Sequence, residues 1–242
     1  MNAPLPWTRK PLVGFDLETS GLDVDEDRIV TGSVVRWGGG LPTEARTWRS
    51  DLGGAEISAD ATAIHGITTE QARALGDPAD LVVAAIAGLL AWYASQSLPI
   101  VVMNAPFDLT MLERECARYG VKSVWDSTPV VLDPWVLDKH LDRYRKGKRR
   151  LVDLCHHYRV RMEGGAHVAE VDAKAACGVV WKIGNRYPWI GRQDVGELHE
   201  MQVRWARELR DEWMAWQVER FGSCDEAPYE WPFIPAPTGA GT

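Results

Sequence analysis

Two acidic residues interrupt an otherwise apolar run near the start of the sequence. In GFDLETSGL, residues 14–22, Asp16 and Glu18 follow apolar positions, and a Thr-Ser-Gly turn ends the run. In an extended strand, residues i and i+2 point to the same face, so the two carboxylates project together and repel each other. A divalent cation with oxygen ligands is the simplest partner that would stabilise this pair.

The acid-x-acid pattern alone is weak support for a metal site. For 34 acidic residues in a chain of 242, chance gives about 4.7 such pairs, and the chain contains five. The pair at Asp16 and Glu18 differs from the others in its apolar surroundings and in the turn that follows it. Taken alone, the pair leaves a metal role and an ordinary structural role open.

A second segment, VVMNAPFDL at 101–109, predicts a buried strand followed by a helix. Asn104 and Pro106 are typical of a helix start, and Asp108 falls in the first helical turn. The helix dipole would favour an acid there without any function. Open α/β sheets also bind ligands at the carboxyl ends of their strands, so Asp108 would meet the first pair if the two strands are neighbours.

The third segment, AHVAEVDAKAA at 166–176, places His167 five residues before Asp172, just ahead of a predicted helix. A lone histidine is more often structural than catalytic. Imidazole can, however, be neutral at physiological pH and accept a proton. A third carboxylate position and a titratable base together favour a catalytic interpretation.

The remaining pattern predicts an α/β domain with a mixed sheet, because strands lead the chain and later alternate with helices. Strands are expected at 12–17, 28–37, 43–49 and 100–103, and helices at 77–95, 105–119, 133–141, 151–158, 172–181 and 195–220. In the last helix one face is apolar, which indicates core packing. That face carries Leu198, Met201, Trp205, Leu209, Trp213 and Trp216.

The order of the three acidic segments resembles the DEDDh 3′→5′ exonucleases, the DnaQ-like family that includes the proofreading epsilon subunits of replicative polymerases. IHGIT at 64–68 and GKRRLVDLCHHYRV at 147–160 are further matches, and the resemblance covers about residues 13–181. It implies a ribonuclease H-like three-layer α/β domain, with a mixed five-stranded sheet flanked by helices. We expect this domain to span 1–220, with its motif core at about 12–185, ahead of a flexible Pro-rich tail at 221–242.

Two details bear on the class within the family. Many relatives have histidine where Met103 stands, but that position is not a metal ligand in the family. The sister class has Tyr-x-x-x-Asp in its last motif, a spacing that the corresponding segment of this sequence lacks, whereas His167-x-x-x-x-Asp172 fits the histidine class.

By resemblance, Asp16, Glu18, Asp108 and Asp172 would hold two Mg²⁺ or Mn²⁺ ions, and His167 would take the proton of the attacking water. Four clustered carboxylates independently require roughly two divalent ions to neutralise them. The expected activity is release of nucleoside 5′-monophosphates from the 3′ end of single-stranded or frayed DNA, in proofreading or repair. Other residues would bind the substrate: Thr19, Ser20, Gly21, His65, Asn104, Phe107, and Arg149 and Arg150 of the basic run 143–150.

Composition restricts the alternatives. The net charge of -7 disfavours a protein that holds duplex DNA by charge alone, whereas a single-stranded end needs fewer phosphate contacts. No apolar run reaches the length of a membrane span, and the four cysteines form no CxxC pair, so we expect a cytoplasmic protein without a membrane partner.

Three alternatives remain at this stage. The first is a 3′→5′ exoribonuclease that acts on small RNA or oligoribonucleotides, and the second is a catalytically idle nucleic-acid-binding module. The third is a zinc protein, but Cys155, His156, His157, His167 and Cys177 fit no structural zinc spacing. The segment YEWPFIPAP at 229–237 would either be disordered or bind a polymerase or clamp.

Overall fold

A five-stranded mixed sheet forms the centre of the protein. The computed structural model describes residues 5–164, 167–224 and 230–234. The strands are β1 (Pro11–Thr19), β2 (Ile29–Gly38), β3 (Glu44–Arg49), β4 (Ile100–Val101) and β5 (Val131–Leu132). Their order in the sheet is β3-β2-β1-β4-β5; β1 is antiparallel to β2 and parallel to β4, and β4 is parallel to β5.

Helices cover both faces of this sheet and give three layers. Ala173 of helix α7 (Ala169–Arg186) lies over Gly14 of β1, whereas Ile86 of helix α3 (Ala79–Ser95) lies over Gly32, the register partner of Leu17. Positions 14 and 17 point to opposite faces of a strand, so α7 and α3 cover opposite faces. The helices are α1 (Ala59–His65), α2 (Thr69–Leu75), α3 (Ala79–Ser95), α4 (Ala105–Tyr119), α5 (Pro134–Leu141), α6 (Leu151–Tyr158), α7 (Ala169–Arg186), α8 (Pro188–Gly191) and α9 (Val195–Phe221).

The predicted fold class is confirmed, with differences among the short elements. The strand expected at 100–103 pairs only at Ile100–Val101, and β5 was not predicted. Neither were α1, α2 and α8. Elements of two to seven residues carry too few positions for a hydrophobic period to emerge, so sequence pattern does not define them.

The edge strand β5 is covered by side chains of α9. The N–H of Val131 donates to Nδ1 of His199 over 3.1 Å, and Nε2 of Gln202 donates to the Val131 carbonyl over 3.1 Å. Oε1 of Gln202 accepts from the N–H of Asp133 over 2.8 Å. These side chains occupy hydrogen-bonding positions that a further strand would use.

Core packing was expected along the whole apolar face of α9, and it holds only for the first half. Leu198 and Trp205 are buried, and the Trp205 ring stacks on His140 of α5. Trp213 and Trp216, in the second half of the helix, are 37% and 49% exposed. That part of the prediction was wrong.

Residues 230–234 differ from the flexible tail that was expected. Trp231 is 7% exposed, and its Nε1 donates to Oδ2 of Asp133 over 3.2 Å. The Phe233 ring meets Trp125 edge to face, and the N–H of Ile234 donates to Oγ1 of Thr110 over 2.8 Å. Aromatic anchors therefore fix this segment on the domain. Pro228, Pro235 and Pro237 lie outside the described residues.

None of the described helices combines the length and the apolar character that crossing a membrane requires.

Candidate active site

The first acidic pair lies at the carboxyl end of β1, as the strand pattern indicated. Glu18 is buried and Asp16 is partly buried. The pairing of β1 with β2 shifts register between Glu18 and Thr19, so a bulge follows the pair directly. Bulges of this kind re-aim side chains at the end of a strand.

Asp108 reaches the same strand from α4. Its carboxylate is buried, and Oδ1 accepts a hydrogen bond from the backbone N–H of Leu17 over 2.9 Å. Leu17 lies between Asp16 and Glu18, so the third acid is attached to the strand that carries the first two. The structure brings all three together although 90 residues separate Glu18 from Asp108 in the sequence.

Asp172 and His167 complete the cluster. One ligand atom each from Glu18, His167 and Asp172 lie within 4.8 Å of one another. The backbone N–H of His167 donates to Oδ2 of Asp172 over 3.1 Å, and His167 adopts a left-handed backbone with φ of 63°. Oδ1 of Asp172 is buried without a hydrogen-bond partner among the described residues.

A close approach of α7 to β1 positions Asp172. A Cβ at Gly14 would lie 2.3 Å from the carbonyl oxygen of Ala173 and 3.0 Å from Sγ of Cys177. Only glycine leaves room for the helix backbone at this distance. Asp172 is adjacent to Ala173, so the glycine lets α7 bring this carboxylate against the strand that carries Asp16 and Glu18.

Asp133 is a supporting residue that sequence reasoning missed. It follows β5 and is buried, and its carboxylate accepts from the N–H groups of Asn104, Ala105 and Trp135 at 3.2, 3.0 and 2.8 Å. It therefore joins the start of α4, which carries Asp108, to the start of α5. The Asp-Pro pair at the start of the predicted helix at 133–141 is a helix-cap signal that could have identified it.

The cluster is electrostatically unfavourable as four bare carboxylates. Burial, and then the neighbouring Asp108, Asp172 and Glu18, raise the pKa of Asp16 well above its usual range. Burial and Asp172 raise the pKa of Glu18 to about 7. Burial raises the pKa of Asp108 to about 8, although the N–H of Leu17 opposes the shift. Burial also raises the pKa of Asp172, against the effect of the His167 N–H.

These residues fit a divalent metal site. Crowded carboxylates with raised pKa values gain stability from a nearby cation. The unpartnered Oδ1 of Asp172 is a buried acceptor that needs a positive or hydrogen-bonding partner. Carboxylate oxygens are the ligands that Mg²⁺ and Mn²⁺ prefer, so the chemistry of the donor set agrees with the predicted metals.

The turn after β1 is only partly available to a substrate. Ser20 is buried; its N–H donates to the Arg28 carbonyl over 2.9 Å, and its Oγ donates to Asp27 over 2.7 Å. Oγ1 of Thr19 donates to the Gly21 carbonyl over 2.7 Å. The Ser20 N–H is thus paired with the Arg28 carbonyl. The substrate roles of Thr19, Ser20 and Gly21 stay predictions.

His65 lies at the end of α1 beside two residues of the site. Burial is the main cause that lowers the pKa of His65; the Thr19 backbone opposes this and His167 adds to it. Its Nδ1 accepts from the N–H of Ile67 over 3.2 Å, and its Nε2 is buried without a partner among the described residues. Phe107 is half-buried and Asn104 is exposed, both at the start of α4. The substrate roles of these three residues stay predictions.

The basic run 143–150 is more ordered than a solvated loop. The buried carboxylate of Asp138 accepts from Nη2 of Arg145, Nε of Arg149 and the hydroxyl of Tyr158, each over 2.8 Å. Arg149 thus bonds within the loop, to Asp138 and to the Asp142 carbonyl, and its substrate role stays a prediction. Arg150 pairs with Asp153 over 3.0 Å at the start of α6 and stays exposed.

Comparison with known proteins identifies the class of protein that this fold and site define. The family model described as RNase_T, Exonuclease, matches residues 13–180. The chain therefore belongs to the RNase_T exonuclease family, within the DnaQ-like group that its motifs indicated. No curated protein sequence matches the chain.

Solved structures of exonuclease I share the fold. E. coli Exonuclease I in complex with a dA16 oligonucleotide is 19% identical with a TM-score of 0.61, over 75% of this chain and 42% of that one. Exonuclease I from Methylocaldum szegediense is also 19% identical, with a TM-score of 0.59 over 87% of this chain and 45% of its own. This chain thus spans less than half the length of these structures.

Proposed function

We propose that this protein is a metal-dependent 3′→5′ exonuclease that releases nucleoside 5′-monophosphates from single-stranded or frayed DNA, in proofreading or repair. The observation that carries the proposal is the convergence of Glu18, His167 and Asp172 within 4.8 Å, beside Asp108 of α4, whose carboxylate bonds to the backbone of Leu17 in the strand that carries Glu18. Membership of an exonuclease family and the oligonucleotide complex of a structural relative support the same reaction and substrate.

Asp16, Glu18, Asp108 and Asp172 would hold two Mg²⁺ or Mn²⁺ ions in this proposal. Bound divalent ions in such sites lower the pKa of an attacking water and stabilise the leaving oxygen. The protein contributes the fixed positions of the acids: Asp108 through its bond to Leu17, and Asp172 through the packing of α7 on β1.

His167 would act as the general base. Its imidazole lies within reach of the Glu18 and Asp172 oxygens, and the bond from its backbone N–H to Asp172 fixes the residue beside the acids. His167 is exposed, so the imidazole can meet a substrate that enters from solvent. It would accept the proton of the water that attacks the terminal phosphodiester.

The test measures mononucleotide release from three 3′-labelled substrates: single-stranded DNA, duplex DNA with a mismatched end, and RNA. We expect release from single-stranded DNA with Mg²⁺ and none with EDTA. Asp16→Asn should abolish release, whereas Asp80→Asn, an exposed acid on α3, should leave it unchanged. Wild-type rates from Asp16→Asn would refute the assignment, and faster release from RNA than from DNA would refute the DNA substrate.

A further inference from the structure

A groove of about 500 Å³ lies between α5, α9 and the docked segment 230–234. Five aromatic side chains line it, and we call the surface that they form the indole groove. These residues are Trp135, Tyr144, Trp213, Trp216 and Trp231.

The indole groove is continuous with the edge of the sheet that carries the acids. Asn104 and Pro106 also line it, and Asp108 follows them in the same helix turn. Strands β1, β4 and β5 are parallel, so their carboxyl ends lie on the same side of the sheet. A nucleic-acid strand whose 3′ end lies at the acids, and which follows these carboxyl ends, passes from β1 over β4 toward the groove.

Several of its aromatic faces are open to solvent. Tyr144 is 90% exposed, and Trp213 and Trp216 lie on one face of α9 with the exposures given above. Open indole and phenol rings are platforms on which bases of a single strand stack without sequence preference. α9 lies beyond residues 13–180, so this wall of the groove is outside the matched family domain.

Three cationic side chains line the groove, and two of them are paired with acids. Arg143 pairs with Glu212, and Arg210 pairs with Asp211 over 3.0 Å. Lys139 forms no salt bridge within the described part of the chain. Burial, and then the neighbouring cations Arg149 and Arg143, lower the pKa of Lys139, although Asp138 and Glu212 oppose the shift. An anion placed at Lys139 would relieve this repulsion, as a backbone phosphate would.

We propose that the indole groove binds the single-stranded nucleic acid 5′ of the terminal nucleotide, with bases on Trp213 and Trp216 and a phosphate at Lys139. The inference rests on the proposed function, because the catalytic acids determine where the 3′ end lies. It deepens that function by giving the substrate strand a second point of attachment.

The test uses the whole protein chain and compares a long oligonucleotide with a dinucleotide. Binding of a 5′-labelled oligothymidylate of about 12 nucleotides, within the range of about 4–16 that single-strand sites cover, is measured in EDTA to prevent cleavage. We expect Trp213→Ala/Trp216→Ala to weaken it about tenfold or more, since each stacked base contributes a factor of about 5 to 150. Hydrolysis of a dinucleotide with Mg²⁺ should be unchanged, because it does not reach the groove.

Matched variants separate stacking from loss of structure. Trp213→Phe/Trp216→Phe should retain most of the affinity, and Trp92→Ala, which removes an exposed indole on α3, should retain all of it. Lys139→Gln should weaken the long oligonucleotide and reduce the salt dependence of its binding. Circular dichroism and thermal unfolding verify that each variant is folded.

Unchanged affinity of the folded double alanine variant would overturn the proposal and leave an apolar peptide or a second copy as the occupant. Equal loss in the phenylalanine variant would overturn the stacking contact. If the wild type cleaves no substrate but the alanine variants still lose oligonucleotide binding, the groove stands and the proposed enzymatic function fails.

Discussion

The backbone N–H of Leu17 donates to Oδ1 of Asp108 over 2.9 Å, and this bond attaches the start of α4 to the strand between Asp16 and Glu18. A carboxylate held in this way cannot swing away from the cluster without leaving a buried N–H unpaired. Such an unpaired donor costs about 1–3 kcal/mol. The bond therefore makes the spacing of the acids a property of the fold.

Asp108→Asn should abolish turnover while the protein stays folded. The amide keeps an oxygen that can accept from Leu17 but lacks the charge that a metal requires. We expect the rate of mononucleotide release to fall more than about 100-fold, since even indirect metal partners account for about 10–100-fold. Asp108→Ala should also lower the thermal midpoint, because it removes the acceptor; a midpoint equal to that of Asp108→Asn would contradict the role of the bond.

Gly14→Ala should displace α7 and reduce activity. The added Cβ would lie 2.3 Å from the Ala173 carbonyl, and overpacking of this kind costs about 1–3 kcal/mol. Unfolding in urea measures the loss of stability, and mononucleotide release measures the loss of activity. Gly88→Ala is the control: a Cβ there meets no atom within 4 Å, so this exposed helical site should gain stability and keep full activity.

His167→Gln should slow the reaction about 10²–10⁴-fold while metal binding persists, because a general base contributes to the rate rather than to neutralising charge. Calorimetric titration measures the affinity for Mn²⁺, and single-turnover experiments measure the rate of the reaction. A loss of Mn²⁺ affinity as large as the loss in rate would show that His167 is mainly a ligand.

Without metal, the stability of the protein should fall as pH rises. The pKa of Glu18 is raised from 4.5 to about 7 and the pKa of Asp108 from 3.8 to about 8, so both groups keep protons that the unfolded chain has already lost. Their contribution is complete below the unfolded values of 3.8 and 4.5, declines as pH rises above them, and is fully lost once pH has passed the folded values of about 7 and about 8. Thermal midpoints in EDTA should fall between these limits and level off above them, and Glu18→Gln should make the decrease smaller.

Asp138→Asn should destabilise the protein by about 3–5 kcal/mol, because it leaves Arg145 and Arg149 without the buried carboxylate that both contact. Asp153→Asn removes the partner of the exposed Arg150 and should change the free energy of unfolding by at most about 1 kcal/mol. Urea unfolding of both variants provides the comparison, and similar losses would contradict a structural role for Asp138.

The sequence defined the long elements and the acids better than it defined their surroundings. Local pattern indicates that Asp16 and Glu18 end a strand and that Asp108 and Asp172 begin helices, and the resemblance to the family implies that these four acids share one site. Ser20 and Arg149 form hydrogen bonds to Arg28 and Asp138, and no local sequence pattern predicts these pairings. For Trp213 and Trp216, the period indicated an apolar face correctly, but it cannot state whether another element covers that face.

The side chains of His199 and Gln202 bond to β5 in place of a neighbouring strand, and this has a consequence for any shortened form of the protein. A fragment that ends near residue 180, where the family match stops, would leave the N–H and carbonyl of Val131 and the N–H of Asp133 open at the rim of the sheet. Unpaired backbone groups at the edge of a sheet can pair with strands of other molecules. We therefore expect the catalytic core to self-associate once α9 is removed.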